Sequence, residues 1–311
     1  MRAWSCAIRT PANGRRDPLG FRGQRAWSDI FIFVIFATFV IFAFSVVDSL
    51  TRLAPDKTPD RIAGMFDAIA PRYDLLNHLL SAGIDRRWRR KMIASLELTG
   101  RETLVDICTG TADVALEARR SADGGPHGSA ARVLGVDFAG AMLALGLRKV
   151  REAGEERHIA LVRGDAMRIP VPDGLADAAT VAFGVRNVEK TEVAVRELAR
   201  VLRPGGRLAI LEFSIPRVPG LAALYRWYFS RVLPMVGRAI SGHTAAYSYL
   251  PASVGAFPSP AEFVTLLRHS GFVEVRAVPL TFGIVYLYAA IRDQPTQAGS
   301  RGDDATIGRG L

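Results

Sequence analysis

At 311 residues, 49% of them hydrophobic, the chain has room for one large domain or two small ones and enough apolar residues to bury a core. Its two cysteines, Cys6 and Cys108, exclude a disulfide framework, and no Cys/His cluster has zinc spacing, which fits a reducing cytoplasm and no bound metal. Forty Lys and Arg against thirty Asp and Glu leave a formal charge of +10; that suits an anionic membrane or nucleic-acid surface, and equally a set of arginines spread over solvated faces.

Residues 1–29 are rich in Gly, Pro and Arg and read as a basic disordered segment. The run Ile30–Val47 is eighteen residues long, apolar and free of charge, at the short end of what spans a bilayer. No A-x-A cleavage site follows it, which argues against a removed signal peptide. A simple span would hold the arginine-rich flank in the cytoplasm and place the rest of the chain outside. Three readings stay open: a span in the opposite orientation, a segment lying in the membrane interface, or a mis-set translation start.

Residues 60–100 read as a helical cap. Met65-Phe-Asp-Ala-Ile-Ala-Pro-Arg-Tyr-Asp74 precedes an apolar helical stretch, and Pro71 is expected to divide the two. Trp88 and Met92 then share one face of a helix carrying Arg86, Arg87, Arg89, Arg90 and Lys91. These cations suit phosphates or lipid headgroups, or simply a solvated helix face.

Leu104-Val-Asp-Ile107 reads as a buried strand, Cys108-Thr-Gly-Thr111 as a turn of small residues, and Ala112 to about Arg120 as a helix. Strand, tight turn and helix N-terminus present backbone N–H groups at the carboxyl edge of a sheet, where open α/β folds bind nucleotide-like ligands. Further strands follow at Arg132–Asp137, His158–Val162, Ala176–Phe183 and Arg207–Phe213. Between them lie helices at Ala139–Ala153 and Thr191–Leu202, the second with Val195, Leu198 and Leu202 on one stripe. Arg203-Pro-Gly-Gly206 ends that helix. After a helix at Pro260–His269, strands at Gly271–Val278 and Phe282–Ile291 flank a short connection containing Pro279 and should pair antiparallel. The tail 293–311 reads as disordered. Alternating strands and helices define an α/β fold with a parallel sheet and an antiparallel edge.

The turn is not a dinucleotide fingerprint: Cys108-Thr-Gly-Thr-Ala-Asp113 carries one glycine of the three required, and no Gly-Lys-Ser/Thr follows for a Walker loop. Asp137, at the end of the second strand, is placed to accept both hydroxyls of a ribose. Asp165 and Ala166, after the third strand, share that edge and can address an adenine. Each acid alone is more commonly a turn or cap residue; together they point to an adenosyl ligand without a pyrophosphate.

These stretches, with Met65–Asp74, Ser81-x-Gly83, Trp88-Arg-Arg90, Phe183-Gly-Val-Arg-Asn187, Val201–Gly206, Leu211-Glu-Phe-Ser214 and Tyr247-x-Tyr249-Leu250, resemble the S-adenosylmethionine-dependent C-methyltransferases of menaquinone and ubiquinone biosynthesis. The resemblance covers about residues 60–292. It implies a seven-stranded Rossmann-like class I methyltransferase sheet with a helical N-terminal cap, the cofactor S-adenosylmethionine, and a polyprenyl quinol as methyl acceptor. It implies cofactor contacts at Asp106, Gly110, Thr111, Asp137, Asp165 and Ala166, and a backbone contact at Ala182, where the family often has Ser. Ala112 stands where glycine is common and is expected to be tolerated as a helix starter. The reduced quinol ring carbon is the nucleophile, and the developing phenolate needs a positive or hydrogen-bonding partner. Arg186 is the expected partner and Asn187 the orienting residue, with Tyr73, His243 and Tyr247 as weaker pocket candidates. Arg186→Ala should lower kcat by on the order of 10²-fold while leaving cofactor affinity within about threefold.

The insoluble tail of such a substrate implies work at the membrane surface, peripheral on the cytoplasmic face, and the aromatic-rich stretch Leu221–Val236 suits either an interfacial lid or a core helix. Other readings are an acceptor that is a different small lipid or an RNA, although no RNA-binding module is visible, and a membrane-anchored scaffold that binds the cofactor without turnover.

Overall fold

The computed structural model describes residues 56–81, 83–120, 130, 132–216, 249 and 252–294. The apolar run 30–47, the stretch 221–236, His243 and Tyr247 therefore lie outside the described residues, as does most of the loop 121–131. Among the described residues no helix is long and apolar enough to cross a membrane.

Seven strands form one sheet in the order β3-β2-β1-β4-β5-β7-β6. They are β1 Thr103–Ile107, β2 Arg132–Asp137, β3 Ile159–Arg163, β4 Ala176–Ala182, β5 Leu202–Phe213, β6 Phe272–Leu280 and β7 Val285–Arg292. β1 to β5 run parallel, and β7 lies antiparallel between β5 and β6. The helices are α1 Pro59–Leu80, α2 Asp85–Ser95, α3 Asp113–Arg120, α4 Gly140–Glu152, α5 Thr191–Val201 and α6 Pro260–His269.

Because successive strand residues face opposite sides, β1 feeds two cores. Val105 and Ile107 pack on one side with Val181, Ile210, Phe263 and Tyr288. Leu104 packs on the other with Trp88, Met92, Ala115, Ala178 and Leu287. The expected stripe holds for Val195 and Leu198, both buried on α5, whereas Leu202, also buried, has left the helix and opens β5. Helix α6 starts on a capping box in which Ser259 and Glu262 bond each other's backbone N–H, with Pro260 in the first turn.

Four expectations change. Helix α1 runs unbroken for 22 residues through Pro71; the missing N–H costs one hydrogen bond, and burial of Ile62, Ile69 and Ala70 on the same helix outweighs it. Arg203-Pro-Gly-Gly206 is not a separate turn but the opening of β5, where the register with β4 slips between Ala176 and Ala178. Pro279 sits inside β6 opposite Tyr286; β6 is an edge strand, where a residue without an N–H is tolerated. The actual turn is Thr281–Gly283, with Thr281 and Phe282 at φ 45° and 58°. Finally, Ala112 does not start α3. It has φ +65°, and the helix begins at Asp113. Its left-handed backbone costs an L-residue roughly 1–2 kcal/mol, which is the physical reason a glycine would suit the position better.

Candidate active site

The parallel strands end along one edge, and the turns after β1 and β4 meet there. After β1, Cys108, Gly110 and Ala112 all have positive φ (56°, 55° and 65°), and after β4 so does Phe183 (58°). Gly184 explains why these turns can approach: a Cβ there would lie 2.3 Å from the Cys108 Cβ and 2.8 Å from its Sγ. Strained backbone gathered at one place is held by surrounding structure and marks candidate functional ground.

A cleft opens over this edge, its empty space of about 760 Å³ running out into open solvent. Asp165, Ala166 and Met167 after β3 line it, followed by Asp137 and Phe138 after β2, Cys108 and Gly110 after β1, and Ala182 to Gly184 with Asn187 after β4. Lys57, Ile62 and Phe66 of the N-terminal segment and α1 cover it. Five expected positions are thus brought together: Gly110, Asp137, Asp165, Ala166 and Ala182, with Asn187 beside them.

Asp137 organises the ligand side. Its Oδ2 accepts from the Gly110 N–H at 2.8 Å and its Oδ1 from the Ala139 N–H at 2.9 Å. Each oxygen retains lone-pair capacity for a further hydroxyl. Burial pushes this carboxyl's pKa upward against those backbone bonds. The first turn of α4 is completed from α1, where Asp67 Oδ1 accepts from the Ala141 N–H at 2.9 Å; the N-cap residue Ala139 has no side-chain cap of its own. Asp165 spends Oδ1 on the Met167 N–H at 2.8 Å. Above Gly110 a Cβ would meet nothing within 4 Å, so bare backbone faces open space at the turn. Two carboxylates on neighbouring strand ends, bare backbone and apolar walls from Phe138 and Met142 fit an adenosyl ligand.

Asp106 and Thr111 belong beneath the cleft and do not line it. Asp106 is 1% exposed; its Oδ2 accepts from Thr109 Oγ1 at 2.6 Å and its Oδ1 from Thr180 Oγ1 at 2.7 Å, tying β1 to β4. Burial raises its pKa to about 7, against the pull of the two hydroxyls. Thr111 is buried and its Oγ1 bonds Lys149 Nζ at 3.1 Å; the same ammonium pairs with Asp113. Arg89, expected on a solvated or anion-binding face, is 8% exposed and pairs with Asp85 and, at 3.2 Å, with Asp113. These ion pairs fasten α2 and α4 to the start of α3. Cys108 is held as a neutral thiol, since burial and the nearby carboxylates push its pKa well up, so it is no nucleophile.

Arg186 is placed differently from the expectation. It is 6% exposed and does not line the cleft. Its Nη1 donates to Glu212 Oε1 at 2.7 Å and to the Phe183 carbonyl at 2.5 Å, and its backbone N–H donates to Glu212 Oε2 at 3.1 Å. The guanidinium also lies 5.3 Å from the centre of the Phe213 ring. Its charge is therefore matched by a carboxylate that is wholly buried. What Arg186 does is pin the Phe183–Asn187 turn to the end of β5. Asn187 Nδ2 reaches the same Phe183 carbonyl at 3.4 Å, and its Oδ1 is buried without a partner among the described residues, as are Arg186 Nε and the Tyr249 hydroxyl. Tyr73 lies on α1, with its side chain outside the described residues.

Sequence reasoning missed Glu212, Lys57 and the apolar pair Ile62 and Phe66. The pair carried a signal, its i, i+4 spacing on a helix. Lys57 carried none, and Glu212 lay within a quoted stretch without being assigned a role.

Fold and site together define a class I S-adenosylmethionine-dependent methyltransferase. Among solved structures, one of an S-adenosylmethionine-dependent methyltransferase from Thermotoga maritima matches with a TM-score of 0.51 at 17% identity, covering 75% of this chain and 100% of that one. The [4+2]-cyclase SpnF matches at 0.50 and 18% identity, covering 79% and 99%, so the fold alone does not state the reaction. Sequence is more specific. The model of the ubiE/COQ5 methyltransferase family matches residues 55–292, and the chain belongs to that family. It is 48% identical to the ubiquinone/menaquinone biosynthesis C-methyltransferase UbiE of Syntrophotalea carbinolica over 231 residues, 74% of this chain and 94% of the relative. It is 46% identical to the demethylmenaquinone methyltransferase of Thermus thermophilus, covering 73% of this chain and all of the relative.

Proposed function

We propose that this enzyme methylates a ring carbon of a reduced polyprenyl quinol, converting demethylmenaquinol to menaquinol, the methoxybenzoquinol precursor of ubiquinol to its C-methylated form, or both. The observation that carries this reading is the 46–48% identity to relatives named for these reactions, extending over 94% or more of their lengths. S-adenosylmethionine supplies an electrophilic methyl group, so the protein's part is to hold, align and keep dry. Asp137 would hold the ribose hydroxyls, Asp165 and Ala166 the adenine, and the Gly110 turn with Ala182 the amino-acid portion. Phe66, Ile62 and Phe183 offer an apolar wall for an aromatic acceptor, and Asn187 an oxygen for a ring hydroxyl. Arg186 acts as a positioning residue for the turn that carries Asn187.

The test is incubation of the purified protein with methyl-labelled S-adenosylmethionine and a short-chain demethylmenaquinol, kept reduced or allowed to oxidise. Mass spectrometry should find label on the ring only for the reduced acceptor, because a quinone carbon is itself electrophilic. Label on neither form, with the cofactor bound, would end the proposal. A polyprenyl acceptor also requires access to a membrane surface, which we propose is the cytoplasmic face; the net charge of +10 favours anionic lipid. Flotation of the full chain with anionic liposomes tests this, and protein left at the bottom of the gradient counts against it.

A further inference from the structure

With Arg186 matched by Glu212, the acceptor end of the cleft needs another cation, and Lys57 lies there. The cleft follows the strand ends: Asp165 after β3, Asp137 after β2, Gly110 after β1 and Asn187 after β4. Lys57 lines it too and lies within electrostatic range of Arg186, Glu212 and Glu192. That places it towards the β4 and β5 ends, away from the side where the adenosine would sit. Among the described residues it makes no ion pair. Its backbone is fixed by a bracket on either side: Asp56 accepts from the Thr58 N–H at 3.0 Å and from Arg61 Nη1 at 2.9 Å. Asn187 lines the same cleft, and its Oδ1 is buried and unpartnered among the described residues, an acceptor waiting for a donor.

We propose that Lys57 is a substrate-facing residue whose ammonium binds the phenolate oxygen of the acceptor ring, while Asn187 Oδ1 accepts from a hydroxyl of the same ring. The inference rests on the quinol reading above. The hydroxyl proton leaves to water as the phenolate forms, and Lys57 stays an ammonium throughout. The ring carbon then takes the methyl group from the sulfonium, whose C–S electron pair stays on sulfur as the neutral thioether, and the C–H proton of that carbon is lost to water, restoring the aromatic ring with no base among the side chains. Burial already pulls the Lys57 pKa down, with Glu212 opposing and Arg186 assisting; an anionic ring oxygen would replace the water its ammonium has lost. Of the other charged groups, Glu189, Asp137 and Asp165 line the cleft with Lys57, while Glu212, Arg186 and Glu192 act on its charge from outside the lining. The Tyr249 hydroxyl is pushed up to about 12, first by burial, and stays protonated across the working range.

The experiment uses 4-nitro-1-naphthol, a bicyclic phenol whose phenolate is coloured, titrated with the full-length protein and S-adenosylhomocysteine. Wild-type protein should lower the pKa of the naphthol by about one unit. Lys57→Met should abolish that shift and Lys57→Arg should keep most of it. Lys57→Met should also lower kcat/KM for a short-chain quinol by about 10–100-fold, with the acid limb of its pH profile moved upward and cofactor affinity unchanged. No naphthol shift in the wild type, or an equal shift in Lys57→Met, overturns the proposal. Absence of quinol methylation by the wild type would instead overturn the reading beneath it, so the two failures are told apart.

Discussion

The pair formed by Arg186 and Glu212 offers the sharpest check on how the site is built. Glu212 is 0% exposed and accepts three hydrogen bonds: from Arg186 Nη1 at 2.7 Å, from the Arg186 backbone at 3.1 Å and from the Phe213 N–H at 2.8 Å. Glu212→Ala leaves a guanidinium buried without its counter-charge and two backbone donors without acceptors. Removing one partner of a buried pair costs about 3–5 kcal/mol, while a neutral replacement that still accepts hydrogen bonds loses less. In Glu212→Gln the amide oxygen can still receive the Phe213 N–H, and pairing it with Arg186→Met leaves no charge behind. The double variant should therefore recover at least half of the Glu212→Ala loss. Urea unfolding followed by tryptophan fluorescence is the assay, since Trp88 lies 6.3 Å from Phe213. A Glu212→Ala protein within about 1 kcal/mol of the wild type would refute the argument, because no charge could then be dry at that strand end.

Two further outcomes follow from the geometry. Gly184→Ala must force the turns after β1 and β4 apart, since its Cβ would meet that of Cys108 at 2.3 Å. We expect about 1–3 kcal/mol of lost stability and roughly tenfold weaker S-adenosylhomocysteine binding, measured by calorimetry; unchanged affinity would mean the turns do not shape the cofactor site. Asp106 has its pKa raised by burial from 3.8 to about 7. Between those values it holds a proton in the folded state that it has lost in the unfolded state, so stability falls as pH rises through that window and levels off above it, by up to about 4 kcal/mol. Asp106→Asn cannot titrate, and the stability difference between it and the wild type should follow this slope; a difference independent of pH from 4 to 8 would contradict it.

The order of strands and helices was legible in the sequence because each element carries its own periodicity. Val195 and Leu198 share one stripe whatever the helix packs on, and Leu104–Ile107 reads as a strand from its apolar residues alone. The gathering of Gly110, Asp137 and Asp165 in one cleft was legible for a similar reason: each follows a strand, and parallel connectivity brings all strand ends to one edge. The acceptor side was not. Arg186 carries the charge that the chemistry calls for, yet whether that charge faces a ligand depends on Glu212, 26 residues away on the next strand. Ala112 shows the same limit at the scale of one residue, since nothing local distinguishes a helix start from a left-handed turn.

By itself, then, the sequence determined the family, the alternation of elements and the edge at which the strand-end carboxylates gather, because these follow from local pattern and the rules of parallel sheets. Only the tertiary structure decided which charges are spent and which remain. Arg89 and Arg186 are consumed in buried pairs, Asp106 and Thr111 support the cleft from beneath, and Lys57 is brought into its lining. Charge pairing is settled by distance and burial, and both arise only when segments remote in the chain pack together.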